Sequence, residues 1–161
     1  MPEHIFARLK QDHDRQRELL ERIEETQGGS DERASLFEAF TKDAKSHAAA
    51  EEQALYSTMM RKPETTEETR HSVHEHYEIE TMLNDIAATD MASSEWMAKF
   101  RELRHEYLHH IGEEEDEHFP DFAQYLTEAD EQHMRAVFER RKQAESKSAE
   151  VTPERAEDAK E

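Results

Sequence analysis

The feature that most constrains this chain is an internal repeat built around histidine and glutamate. When the sequence is shifted by 63 positions, histidines fall on histidines and glutamates fall on glutamates. The matched pairs are His13 with His76, His47 with His110, and Glu51 with Glu114. Apolar residues match at the same shift, among them Leu20 with Leu83 and Phe37 with Phe100. Each half of the chain therefore carries a lone His followed by a His-x-x-x-Glu segment.

The pattern of apolar residues is helical throughout. They recur at steps of three and four, as in Leu36, Phe40 and Ala44, and no segment shows the sustained alternation of a strand. The predicted helices lie near 3–27, 31–61, 65–88 and 94–117, with a shorter one near 127–142. Because short connections make successive helices antiparallel neighbours, the sequence predicts an all-α fold, an up-down four-helix bundle with a short C-terminal helix.

The last part of the chain differs in composition from the rest. We expect one domain, residues 1–142, followed by an acidic tail, residues 143–161. The tail contains a single large apolar side chain, Val151. Such a segment cannot bury enough surface to offset the entropy lost on ordering, so we expect it to be disordered.

Charge and residue usage exclude several classes of function. The chain of 161 residues has 21 Lys and Arg against 40 Asp and Glu, a formal net charge of −19. Because this charge repels phosphate backbones and anionic lipid, we expect neither a nucleic-acid nor a membrane partner. No apolar run is longer than Ala48–Ala50, too short for a membrane span or a signal peptide, so we expect a cytoplasmic protein. The absence of cysteine excludes thiolate and Fe–S chemistry.

The repeated histidines and glutamates continue the apolar stripes of their helices. His47 and Glu51 stand four residues apart and face the same direction, as do His110 and Glu114. His13 follows Leu9 by four residues. All six repeated residues therefore point into the bundle. Burial of an ionised carboxylate without a partner costs on the order of several kcal/mol of folding free energy, even after the protein relaxes around it.

Two bound cations would relieve this cost better than mutual hydrogen bonds between histidine and glutamate. Four imidazole nitrogens and two carboxylates suit iron or manganese, and zinc is also open. Two metals that share six protein ligands need bridging carboxylates or an oxo or hydroxo group to complete their coordination. Such a site keeps an exchangeable position for a small molecule.

At these residues the chain resembles the hemerythrin-like, HHE cation-binding domain family. The segments that carry the resemblance are QDHD (His13), HAAAEEQALY (His47, Glu51), EHYEIE (His76) and HIGEEEDEHFP (His110, Glu114), within residues 3–142. The resemblance implies a four-helix bundle around a non-haem di-iron centre, with two iron ions bridged by carboxylates and an oxygen atom. Family members bind oxygen, sense oxygen or iron, or handle peroxide and nitric oxide.

The chain departs from the oxygen-carrying hemerythrins at two places. Those proteins have a His-x-x-x-His pair on the third helix, whereas here Ser72 stands four residues before His76 and Glu80 four residues after it. Their fourth helix uses an aspartate at a different spacing, whereas this chain has His110 with Glu114. These departures argue against reversible oxygen carriage.

The sequence thus predicts six metal ligands and leaves several questions open. The predicted ligands are His13, His47, Glu51, His76, His110 and Glu114. The first functional hypothesis is a di-iron protein that binds or senses O₂, NO or iron. The alternatives are a di-iron enzyme acting on peroxide and a structural bundle without metal. Glu52, Glu115 and His118 are neighbours of the predicted ligands, and the sequence does not decide whether they join the site.

Overall fold

The computed structural model describes residues 4–148, which are helical apart from short connections. The main helices are α1 (Ile5–Glu24), α2 (Asp31–Glu51), α3 (Thr66–Ala87), α4 (Ser94–Glu113) and α5 (Glu128–Ser148). Helix α2 continues without a break through a π-helical segment, π1 (Glu52–Tyr56), and a last turn, Ser57–Met59. Helix α4 continues in the same way through π2 (Glu114–His118) and Phe119–Ala123. Residues 4–148 contain no strand, which confirms the all-α prediction.

Serine side chains cap the N-termini of α2 and α4. Ser30 Oγ accepts a hydrogen bond from the Arg33 amide at 3.2 Å, and Ser93 Oγ accepts one from the Trp96 amide at 3.2 Å. Each bond satisfies an amide that has no partner within the helix. Before Ser30 the chain turns at Gly28, whose positive φ of 52° favours glycine.

The interior contains two apolar clusters, and the repeated polar residues lie between them along the chain. The first cluster includes Leu20, Phe40, Ile79, Leu83, Phe100 and Tyr107. The second includes Ile5, Leu9, Ala50, Leu55, Phe119 and Phe138. Each of the four bundle helices passes from one cluster to the other near its histidine, so apolar side chains surround the polar layer on both sides.

The C-terminal helix is longer than predicted, and the boundary of the predicted disordered tail was placed too early. We expected the helix to end near 142, but α5 continues to Ser148. Polar contacts anchor the helix where the predicted end lies: Lys142 Nζ lies 2.6 Å from Asp12 Oδ1, and Arg141 Nη1 donates to Gln53 Oε1 at 2.7 Å. Beyond that point, Arg141 Nε donates to Glu145 Oε1 at 2.8 Å. The remainder of the predicted tail, 149–161, lies outside the described residues.

Helix α5 covers one side of the four-helix bundle. It packs mainly on α2 and α1, where Phe138 is fully buried and contacts the ring of His47 at 5.6 Å between centroids. On the opposite side α2 packs only loosely on α3, and a cavity separates the two helices. Within residues 4–148, none of the helices is apolar enough over a sufficient length to cross a membrane.

Candidate metal centre

The structure brings all six repeated residues together in the middle of the bundle. Their side chains come from four different helices and are almost fully buried, with residue exposures between 0% and 9%. The residues are His13, His47, Glu51, His76, His110 and Glu114. We call this set the inner cluster; its role in metal binding stays a prediction.

The inner cluster divides into two overlapping groups of donor atoms, each compact enough for one cation. His13, His47 and Glu51 form one group, and Glu51 also belongs to the second, with the residues His76, His110 and Glu114. Within each group the donor atoms all lie within 4.8 Å of one another. Glu51 is therefore placed to reach two cations at once.

The distances show that both carboxylates stand between histidines of different halves. Glu51 Oε1 lies 3.1 Å from His76 Nε2 and 3.8 Å from His47 Nε2. Glu114 Oε1 lies 3.1 Å from His110 Nε2 and 3.6 Å from His13 Nε2. Each carboxylate thus faces one imidazole of its own repeat and one of the other, which is the arrangement that bridging requires.

Several buried atoms of the inner cluster have no hydrogen-bond partner among residues 4–148. They are His13 Nε2, His47 Nε2, Glu51 Oε1, Glu51 Oε2, His76 Nδ1 and Glu114 Oε1. Buried polar atoms are normally hydrogen-bonded, since an unsatisfied one costs about 1–3 kcal/mol. Five of these atoms belong to the two carboxylates and to the imidazole nitrogens that face them. Cation binding fits this donor set, because metal–ligand bonds would satisfy these atoms together.

Three carboxylates outside the inner cluster orient its histidines. Asp12 accepts a hydrogen bond from His47 Nδ1, and Glu75 accepts one from His110 Nδ1, each at 2.7 Å. Glu115 accepts one from His13 Nδ1, also at 2.7 Å. Such bonds fix the tautomer and leave Nε2 free to bind a metal.

Two of the carboxylates that orient histidines are related by the same 63-residue repeat as the predicted ligands. Asp12 matches Glu75 under the 63-residue shift, and each immediately precedes a histidine of the inner cluster. The sequence pattern matched these two positions without predicting a role for them. The acidic residue before each lone histidine was the available signal.

The fourth histidine lacks such a partner. His76 Nδ1 is 3.9 Å from Glu52 Oε1, too far for a hydrogen bond. Glu52 matches Glu115 in the repeat, but its side chain is 41% exposed against 17% for Glu115. Of the two glutamates that the sequence leaves open, Glu115 therefore orients a histidine, whereas Glu52 lies at the edge of the site.

The two π-helical segments determine which side chain next reaches the site after each glutamate. A π turn has i→i+5 bonds, so the residue five positions on faces the same side. Tyr56, five residues after Glu51, donates from its hydroxyl to Glu114 Oε2 at 2.5 Å. Phe119, five residues after Glu114, stacks on His13 with the ring centroids 6.0 Å apart.

The π segment also explains where His118 lies. The sequence placed it one α-helical turn beyond Glu114, as an open candidate for the site. In the structure it stands outside the inner cluster, where its Nδ1 shares a hydrogen bond of 3.1 Å with Ser72 Oγ. Its Nε2 lies 3.3 Å from Glu113 Oε1.

Burial and neighbouring charges shift the titration of the inner cluster. Burial lowers the pKa of His13 and lowers that of His76 to well below its ordinary value. Burial acts in the same direction on His110, but Glu114 and Glu75 outweigh it and raise the pKa of His110 to about 9. Burial, together with the charge of Glu114, raises the pKa of Glu51 well above its usual range. Positive charge between the carboxylates would favour their ionised forms.

A cavity of about 660 Å³ reaches the inner cluster between α2 and α3. Its walls include the apolar side chains of Ala48, Val73 and Leu83, and it extends to His76 and Glu114. A water molecule occupies about 30 Å³ of liquid volume, so the cavity is large enough for a molecule well beyond diatomic size. The unpartnered histidine therefore lies on the side of the site that is open to small molecules.

A helical bundle with buried imidazole and carboxylate donors at its centre defines a class of cation-binding helical domains. The family model described as Hemerythrin HHE cation binding domain matches residues 4–122, most of the chain. The chain belongs to this family, as its sequence pattern indicated. Among curated proteins and solved structures, no significant match was found.

Proposed function

We propose that the inner cluster binds two iron ions and that the protein uses them to bind or sense a small molecule such as O₂ or NO. The observation that carries this proposal is the set of unpartnered buried atoms on Glu51, Glu114, His13 and His47. A structural bundle without metal would leave these atoms unsatisfied in an apolar interior. The metal-free alternative is therefore disfavoured.

The donor chemistry supports iron among the possible metals. Four imidazoles and two carboxylates form a mixed nitrogen and oxygen set, which suits iron and manganese and also accommodates zinc. The cluster contains no thiolate, because the chain has no cysteine. When bound, two iron ions would supply redox chemistry and a coordination position that a small molecule can occupy.

The protein's own residues hold and shape this site. Asp12, Glu75 and Glu115 keep three imidazoles oriented, so that their Nε2 atoms face the carboxylates. The ring of Phe119 stacks on His13 and that of Phe138 packs edge-on against His47, so an apolar side chain covers one face of each imidazole. The small molecule would enter through the cavity on the His76 side.

One observation favours the second candidate, an enzyme that acts on peroxide. The Tyr56 hydroxyl is fully buried and donates to Glu114 Oε2 at 2.5 Å, and its ring lies 5.4 Å from that of His76. Burial and the charges of Glu114 and Glu51 raise the pKa of Tyr56 well above its usual value. The hydroxyl thus holds a proton beside the site, where reduction of peroxide would require one.

The proposal is tested by metal analysis and an ultraviolet–visible spectrum of iron-loaded protein. We expect two iron ions per chain and an optical band that changes on addition of O₂ or NO. His47→Ala should remove most of the iron, whereas His133→Ala, which changes an exposed histidine of α5, should retain it. Equal iron content in the two variants would contradict the assignment of the site.

The same preparation separates the two candidates. Evolution of oxygen from peroxide by the iron-loaded chain would favour the enzyme. A stable and reversible band without turnover would favour the binding protein. Absence of iron, with stability unchanged on iron addition, would favour the structural bundle and contradict the proposal.

A further inference from the structure

A second group of metal-binding side chains lies outside the inner cluster, on the surface formed by α3 and α4. It comprises His71, Glu75 and Glu113, whose donor atoms all lie within 4.8 Å of one another. We propose that this outer cluster binds a divalent transition metal, with Zn²⁺ as the ion that its geometry fits best. The site is distinct from the inner cluster, because it shares none of the six inner residues.

The spacing of the donor atoms matches a tetrahedral zinc site. His71 Nε2 lies 3.3 Å from Glu75 Oε2 and 3.4 Å from Glu113 Oε1. Ligands that bind zinc tetrahedrally at about 2.0–2.1 Å stand about 3.3–3.4 Å from one another. The histidine nitrogen thus stands from each of the two carboxylate oxygens at the separation that a zinc ion would impose, and all three donor atoms lie within 4.8 Å of one another.

A nearby buried imidazole is directed at the same oxygen atom. His118 is only 5% exposed, and its Nε2 lies 3.3 Å from Glu113 Oε1. The Ser72 hydroxyl hydrogen-bonds its Nδ1 and holds the ring in this orientation. His71 and His118 face each other at 6.2 Å between ring centroids. A third histidine, His109, lies 3.3 Å from the other carboxylate oxygen, Glu113 Oε2. Nitrogen donors therefore face both oxygen atoms of Glu113, and that of His118 is buried.

The degree of burial suits an exchangeable ion. The side chains of Glu75 and Glu113 are 16% and 17% exposed, whereas that of His71 is 51% exposed. The carboxylates are thus partly withdrawn from water, and the histidine is open to it. The net charge of −19 also raises the local concentration of cations around the chain.

Glu75 connects the outer cluster to the inner one. Its Oε1 accepts the hydrogen bond from His110 Nδ1 at 2.7 Å, whereas its Oε2 faces His71. A cation at Oε2 would withdraw negative charge from the carboxylate and weaken its hydrogen bond to His110. Because that bond sets the donor strength of the imidazole, occupation of the outer cluster would alter the properties of the inner site.

The test is a zinc titration of the full chain after its inner cluster has been loaded with iron. Isothermal titration calorimetry measures the zinc affinity, and metal analysis then gives the content of zinc and iron. We expect one zinc ion per chain in addition to the iron. His71→Ala should weaken zinc binding at least tenfold without changing the iron content, and Glu113→Gln should do the same. The matched control is His74→Ala, an exposed histidine of the same helix that faces the single carboxylate of Glu78.

Several results would overturn the proposal. These are the absence of zinc binding by the iron-loaded wild type, zinc uptake only at the expense of iron, and equal zinc affinity of His71→Ala and His74→Ala. Circular dichroism of each variant checks that loss of zinc does not reflect loss of the helices. If the wild-type chain binds no iron but binds zinc, and His71→Ala loses the zinc, the result would support the outer cluster and contradict the proposed iron site. Failure of the outer cluster can therefore be distinguished from failure of the inner cluster.

Coupling between the clusters is measured in the same titration. Zinc should shift the visible absorption of the iron-loaded wild type and leave that of His71→Ala unchanged. Zinc binding without any spectral shift in the wild type would contradict the coupling through Glu75.

Discussion

Replacement of Asp12 by asparagine tests how far the carboxylates that orient the histidines of the inner cluster support metal binding. Asp12 Oδ2 accepts the hydrogen bond from His47 Nδ1 at 2.7 Å, and Oδ1 lies 2.7 Å from Arg8 Nη1 and 2.6 Å from Lys142 Nζ. Burial would raise the pKa of Asp12, but His47, Lys142 and Arg8 together lower it below its ordinary value. The carboxylate is therefore ionised. The substitution Asp12→Asn would keep the shape of the side chain and remove its charge.

The expected loss of metal affinity depends on how much of the Asp12 charge is already neutralised by Arg8 and Lys142. Loss of a carboxylate that orients a ligating histidine typically weakens metal affinity about 10–100-fold, or about 1.4–2.7 kcal/mol. Because two cationic side chains already neutralise part of the Asp12 charge, we expect Asp12→Asn to fall near the lower end. The effect should be largest on the metal held by His13 and His47, since His47, the histidine that Asp12 hydrogen-bonds, belongs to that group of donors and not to the second.

The assay is competition between the iron-loaded protein and a chelator of known affinity. The matched control is Asp14→Asn, which neutralises a carboxylate of the same helix that is 62% exposed and pairs with Arg17. Asp14→Asn should retain wild-type affinity for both metals. If the two variants release iron at the same chelator concentration, the role assigned to Asp12 is wrong.

Three further predictions concern the cavity, the buried tyrosine and a surface carboxyl pair. Ala48→Phe should narrow the cavity and slow the binding of NO to iron-loaded protein, while the iron content stays the same. Stopped-flow absorption measures the rate of NO binding, and an unchanged rate would mean that ligands enter elsewhere. Tyr56→Phe should keep both metals but lower any peroxide turnover about 10²-fold or more, the usual effect of losing a positioned proton donor, and unchanged turnover would remove Tyr56 from the mechanism. Burial and the neighbouring Asp121 raise the pKa of Glu68 to about 7, so the folded state binds this proton more tightly than the unfolded state does. The stability that this proton contributes is therefore lost as pH rises from the pKa of Glu68 in the unfolded state through about 7. Glu68→Gln should stabilise the metal-free protein at pH 8 by up to about 1 kcal/mol, the range for exposed charge pairs, but not near pH 4. Urea unfolding that shows the same difference between Glu68→Gln and wild type at both pH values would contradict this.

The repeat made the position of the inner cluster predictable. His47 and Glu51 continue an apolar stripe, and the 63-residue match predicts the same orientation in the second half. Because helical periodicity fixes which side chains share a face, six residues far apart in sequence were expected to meet in the bundle. The structure places all six there.

The π-helical segments were beyond the reach of periodicity. An α-helical step of four residues predicts that His118 follows Glu114 towards the site, but the wider turn brings Phe119 there instead. Helical periodicity assumes steps of three and four residues, so the five-residue step within π2 was not predicted. The difference between Glu52 and Glu115 was also hidden, because it arises from the loose packing of α2 on α3.

The length of the last helix was underestimated for a different reason. Apolar burial was the criterion, and the residues after 142 offer little of it. Helix α5 is instead extended by polar contacts such as that between Arg141 Nε and Glu145 Oε1 at 2.8 Å, a pair at i,i+4 spacing. Such pairs add a few tenths of a kcal/mol each, about 0.2–0.5 kcal/mol, and continue a helix that is already anchored.

Anomalous diffraction at the iron absorption edge, from crystals of the iron-loaded chain, examines the central claim most directly. Two separate peaks should appear inside the bundle, both adjacent to the Glu51 carboxylate, with one on the His13 side and the other on the His110 side. A single peak, peaks only at the protein surface, or density in which Glu51 contacts no iron would contradict the dinuclear site.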